Sequence, residues 1–362
     1  MFNLFDPRRL AVVSAALAAV PLAAACAVPS MTFRTVKIGL VAPLSGEAAG
    51  EGGRWVIAAR QAVDVWNADP THGDVRKELV VLDEAEGEAA AQSLVLDPRV
   101  LGVVGYSRPT TAQASLGRLA AAGVPVLVAG SESEAPPPDG AGAQYLTVSQ
   151  AALAQELAAF AAGPLSLRVL SVVVGPDSAD QAIAAVFRAS GVSAAVAFRE
   201  VLVPISPADV RTFAERVSAN GAQAVFLATS PGDARTLLPL LDARPRPLPV
   251  LLSPRAATGE TLRGLERLDV YWAGGAPDPA TVPEAKAFVD RYRRQTGTPP
   301  SPGAALVYDA VELMLRGVEG PPGTGRSPTR ASVQESLGTV GEVPGILGPH
   351  RFGEDGRQLD GR

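Results

Sequence analysis

From residue 36 onward, short apolar runs alternate with segments that place apolar residues at helical spacing. The apolar runs fall at 36–41, 78–82, 100–104, 125–128, 168–174, 222–228, 249–252 and 270–273, and most are β-branched. That is the signature of strands buried on both faces. In the stretch 55–67, Trp55, Ala58, Ala59, Ala62, Val63 and Trp66 share one helical stripe, and 151–162 and 207–220 behave likewise. A helix is expected to start near Thr110. The stretch 233–241 is shorter and is interrupted by Pro239. The tail predicts helices at 283–295 and 304–317, then a third over 329–337 with Ser327 as N-cap and Pro328 at the first helical position.

Strand–helix alternation predicts parallel sheets covered by helices on both faces. Two such sets are visible, 36–131 and 167–273, set off by Gly- and Pro-rich stretches at 134–142 and 277–283. The expected fold class is α/β, with two doubly wound lobes and crossovers between them. A length of 362 residues suits two lobes of ordinary size.

Composition mainly removes alternatives. Hydrophobic residues make up 47% and charged residues 19%, enough for two cores. A formal net charge of −5 leaves no footprint for nucleic acid. The basic cluster Arg291, Arg293, Arg294 reads as a solvated helix face. Cys26 is the sole cysteine, so no internal disulfide can form. His72 and His350 are the only histidines, which argues against a His/Cys zinc site and a Ser-His-Asp apparatus. Neither a cofactor nor a metal is expected. The stretch from Gly320 to Ser327 mimics a phosphate-binding P-loop, but Arg326 replaces the lysine and a helical pattern precedes it. It reads as a loop between helices.

The first residues read as an address. Arg8 and Arg9 precede an uncharged Ala/Val/Leu-rich run over 10–25. The run is shorter than the ~20 residues of a membrane span and suits a secretory signal. The sequence Leu22-Ala23-Ala24-Ala25-Cys26 resembles the lipobox of bacterial lipoproteins, although Ala23 stands where leucine is usual. That resemblance implies acylation of the Cys26 thiol. The plainer alternative is an ordinary signal peptide containing a cysteine. The expected layout is a signal peptide at 1–25 and a tether at 26–35. No second apolar run approaches spanning length.

Further motifs recur in a familiar order. They are Pro43-Leu44-Ser45-Gly46, Ala62-Val63-Asp64, the strand ending Leu82-Asp83, Val103-Val104-Gly105 with Ser107, Thr110 and Thr111, and the run from Ala122 to Val126. Later come Ala285, Phe288, Tyr292, Tyr308-Asp309-Ala310 and the stretch from Arg351 to Gly356. Together they resemble the solute-binding proteins of branched-chain amino acid ABC transporters, over roughly residues 36–356. The resemblance implies the type I periplasmic binding protein fold: two doubly wound α/β lobes joined by hinge strands, with ligand in the cleft. It places lobe I at 36–145 plus 275–338 and lobe II at 146–274 plus 339–362. It also implies an exported, monomeric binding protein, not an enzyme. Its partners would be a small-molecule ligand, an ABC transporter permease and, through the lipid anchor, a membrane. A ligand-responsive sensor of the same fold is the alternative, though no output domain is visible.

The strand-to-helix turn at 105–110 can be argued directly. Free backbone N–H groups and the helix dipole suit a carboxylate there, and Ser107, Thr110 and Thr111 add hydroxyl donors. The resemblance places the ligand's α-carboxylate at this turn and adds Ser131 and Ser133 from the loop after the fourth strand. Three positions depart from the family pattern. Glu51 stands where an aromatic is usual, Ala179 replaces a tyrosine, and Ser253-Pro254-Arg255 replaces the acid that pairs with the ligand's ammonium. Asp177 or Glu51 could supply the missing acid. Alternatively, Arg255 would suit a second anionic group on the ligand.

Overall fold

The computed structural model describes residues 35–72, 75–130, 142–202, 213, 215–217, 221–257, 261–262, 264–265, 267–320, 327–339, 341–353 and 356–358. The signal, Cys26, the tether up to residue 34, Ser131 and Ser133 lie outside them. So does most of the helix expected at 207–220.

Two five-stranded sheets carry the fold. The first orders its strands β2 (Arg76–Asp83), β1 (Thr35–Ala42), β3 (Val100–Gly105), β4 (Val126–Val128) and β5 (Ala143–Tyr145). The second orders β10 (Val270–Trp272), β9 (Val250–Leu252), β8 (Ala224–Ala228), β6 (Val169–Val174) and β7 (Ala197–Leu202). Every pairing in both sheets is parallel. Counted from its own first strand, each sheet is wound 2-1-3-4-5, a common doubly wound order. The chain passes from the first sheet to the second at 146–149, and returns after β10.

The nine longer helices among the described residues are α1 (Ala49–Ala68), α2 (Glu88–Leu96), α3 (Pro109–Ala121), α4 (Gln150–Ala162), α5 (Ser178–Ser193), α6 (Pro231–Asp242), α7 (Lys286–Thr296), α8 (Pro302–Glu319) and α9 (Arg330–Thr339). One face of the first sheet packs Val41, Val103 and Val128 with Leu116 and Leu119 of α3. On the other side α8 closes on β3 so tightly that a Cβ at Gly102 would collide with Met314. The second sheet is covered on one face by α4 and α5 and on the other by α6. Arg330, at the start of α9, donates to the carbonyls of Val100, Leu94, Val95 and Asp97. One guanidinium thereby caps the C-terminus of α2 and the entry to β3.

All eight expected strands form. β5 and β7 were missed, as were α2 and α5. α6 continues through Pro239, contrary to the expected interruption: the proline forgoes one backbone bond, while Leu237, Leu238 and Leu241 around it are buried against the second sheet. Thr329, not Ser327, caps α9: its hydroxyl accepts from Ser332 N, and Ser332 Oγ accepts from Thr329 N. An antiparallel hairpin of β11 (Val343–Gly345) and β12 (Gly348–His350) closes the chain. Asp309 of α8 accepts from Ile346 N, Leu347 N and His350, while Tyr145 of β5 bonds Gly356 and Gln358. These bonds tie the described part of 341–358 to α8 and β5.

Candidate ligand-binding cleft

In an open parallel sheet, ligands bind beyond the carboxyl ends of the strands, at the point where the winding reverses. In the first lobe that point lies between β1 and β3. Tyr106 leaves β3 with φ 63°, a conformation that turns the chain sharply for a residue with a side chain. Its ring is fully buried, and burial pushes the phenol up to about 12. The turn aims Ser107 and Arg108 at Glu84, which follows β2. Glu84 is fully buried. It accepts from Ser107 N at 2.9 Å, Ser107 Oγ at 2.5 Å and Arg108 N at 2.8 Å. The Arg108 side chain lies 3.6 Å away. Beside it, Asp83 accepts from Leu44 N and Ala85 N, which holds its carboxyl below the usual range.

In the second lobe the reversal lies between β6 and β8. Asp177 is the N-cap residue of α5, and Asp180 sits in its first turn. Arg255, just past β9, reaches both: Nη2 lies 2.7 Å from Asp177 Oδ2 and Nη1 2.8 Å from Asp180 Oδ1. Asp180 is fully buried, Asp177 is exposed, and Arg255 is one-third exposed. Asp180 lies so close under Gly175 that a Cβ there would collide with its carboxylate. Burial raises the Asp180 carboxyl above 3.8, with Arg255 opposing the rise and Asp177 and Asp233 reinforcing it. Asp233 is held by Ser230 at the start of α6.

A family model described as periplasmic binding protein matches residues 35–361. The chain belongs to that family. It is a family of solute-binding proteins rather than enzymes, and this member carries the type I fold. No curated protein matches the chain by sequence. Among solved structures, the branched-chain amino acid transporter substrate-binding protein LivJ from Streptococcus pneumoniae, in complex with isoleucine, superposes with TM-score 0.75. It is 21% identical over 90% of this chain and 93% of that one. An ABC transporter substrate-binding protein from Desulfitobacterium hafniense, complexed with Leu, gives TM-score 0.71 at 19% identity, covering 90% and 95%. A solute-binding protein from Rhodopseudomonas palustris BisB5, in complex with 3,4-dihydroxybenzoic acid, gives 0.71 at 18%, covering 90% and 91%. At these identities the likeness is one of fold.

The candidate residues of this periplasmic binding protein separate into groups. Ser107 sits at the first lobe's reversal, but its amide and hydroxyl are spent on Glu84. Thr110 and Thr111 are the second and third residues of α3. Asp177 and Arg255, expected as alternatives, are instead paired with each other. Glu51 lies in α1, where it accepts from Trp55 Nε1 and from Ser301 Oγ at 2.5 Å and pairs with Arg54. It joins α1 to the start of α8. The unforeseen residues are Glu84 and Asp180. Asp180 stands three positions after the N-cap Asp177, a spacing that signals a helix start. Nothing local marks Glu84, because its partners come from a different loop.

Proposed function

We propose that this protein is an exported, lipid-anchored receptor that takes a small polar solute, an amino acid or a related carboxylate or amide, between its lobes and delivers it to an ABC transporter permease. The observation that carries this reading is the matched pair of winding reversals, one per lobe, each lined with charged side chains. The lobes are proposed as 35–145 with 275–358, and 146–274, hinged at 146–149 and just after β10. Thr110, Thr111, Ser131 and Ser133 remain proposed first-lobe contacts. The protein acts as a monomer at the outer side of the cytoplasmic membrane or in the periplasm. No helix among the described residues is long and apolar enough to cross a membrane.

Thermal-shift screening against amino acids, amides, amines and aromatic acids tests capture, with small-angle scattering to follow closure. A solute that raises Tm and shrinks the radius of gyration supports the reading, and a broad panel without effect removes it. Cys26→Ala should move the protein from the membrane fraction to the soluble exported fraction. Unchanged membrane association would remove the anchor.

A further inference from the structure

Asp180 is fully buried, yet its Oδ2 has no hydrogen-bond partner among the described residues. A buried carboxylate oxygen without a donor is costly, and native proteins keep few of them. Among the described residues, the Arg255 side chain bonds Oδ1 of Asp180 and Oδ2 of Asp177. Each acid therefore gives one oxygen to the guanidinium and keeps the other. Two carboxylates against one guanidinium leave a formal surplus of one negative charge, and Asp233 adds to the negative field at Asp180. This surplus lies at the carboxyl end of β6, where the second sheet reverses its winding.

An anion is badly served here. Each terminal nitrogen of Arg255 already spends one N–H on an acid, and the two acids repel whatever negative group approaches. In the first lobe, the amides of Ser107 and Arg108 already hold a carboxylate, Glu84. A cation with N–H donors meets the opposite conditions, because charge-assisted bonds to carboxylate oxygens are the strong ones.

We propose that Asp180 and Asp177 form a subsite for an organic cation, an ammonium or guanidinium, with Arg255 positioning the two acids, and that a carboxylate on the ligand is dispensable. This rests on the solute-binding reading above and names the group by which the solute is recognised.

The test uses the purified full chain and nine compounds: leucine, phenylalanine and arginine, each as the amino acid, the decarboxylated amine and the deaminated acid. Thermal shift and calorimetry are expected to show binding by at least one amine and none by the deaminated acids. Asp180→Asn should weaken that binding at least tenfold while the circular dichroism spectrum is kept. Asp177→Asn, at an exposed position, should weaken it severalfold, and Arg255→Met, which leaves the two acids without the group that positions them, should weaken it while Arg255→Lys restores part of it. Binding of a deaminated acid that survives Asp180→Asn and is lost in Arg255→Met would make Arg255 an anion contact; it would overturn the cation subsite and leave the receptor reading standing. Binding of amino acids but not amines would show the carboxylate to be required, and that also overturns it. Stabilisation by none of the nine removes the subsite, whatever solute a wider panel finds.

Discussion

Each lobe buries one carboxylate near its winding reversal, and the two are treated oppositely. Glu84 receives three donors from a single turn and is fully provided for. Asp180 receives one donor from a distant loop and keeps a bare oxygen. The first arrangement is what stability alone would select, since each satisfied buried acceptor avoids a desolvation penalty. The second gives up stability at a place where the fold exposes ligands to the protein. Strain of this kind concentrates where a protein must respond to something.

The contrast can be broken from either side. Glu84→Ala leaves three part-buried donors without their acceptor and should destabilise the chain by about 2 kcal/mol. The check is the denaturant midpoint, and a loss below about 1 kcal/mol would mean that water replaces the carboxylate. Asp180→Asn should do the reverse, leaving the ligand-free midpoint unchanged or raised. A drop comparable to that of Glu84→Ala would make Asp180 a structural acid like its counterpart. Ser107→Ala removes one of Glu84's three donors and should destabilise by about 1 kcal/mol.

The smallest effect is a pH dependence. The folded chain holds the Asp180 proton more tightly than the unfolded chain does, because its carboxyl is raised above 3.8 by burial. Ionising it therefore lowers stability as pH rises through the window from 3.8 to the raised value. Arg255 opposes this, and Asp177 and Asp233 add to it. Melts across a pH series should show wild type losing ground to Asp180→Asn over that window. A flat difference would show that the carboxyl carries no burden.

Much of the fold was legible because the central strands are apolar on both faces. β1, β3, β6 and β8 could hardly be read otherwise. β7, at a sheet edge, carries Arg199 and Glu200 and lacked that mark. α2 is so rich in alanine that its buried and exposed faces scarcely differ. Of the residues that the structure places at the two winding reversals, Ser107, Asp177 and Arg255 could be named from sequence. Their pairing could not, since Arg255 meets Asp180 across 75 positions and Ser107 meets Glu84 across 23. Residue type announces a capacity for hydrogen bonding, while tertiary structure decides how it is spent.

Arg330 and α8 also set an order in time. The second sheet draws all its strands from one continuous stretch, Val169 to Trp272, so its core can close as soon as that stretch is complete. The first sheet is laid down earlier, yet it lacks the helix that covers β3 and the guanidinium that seals α2 until residues past 300 arrive. Contacts separated by more than 200 positions close slowly, because the chain between them must first give up its freedom. The lobe begun first is thus finished last, and for that interval its apolar β3 face stays open to any other chain nearby.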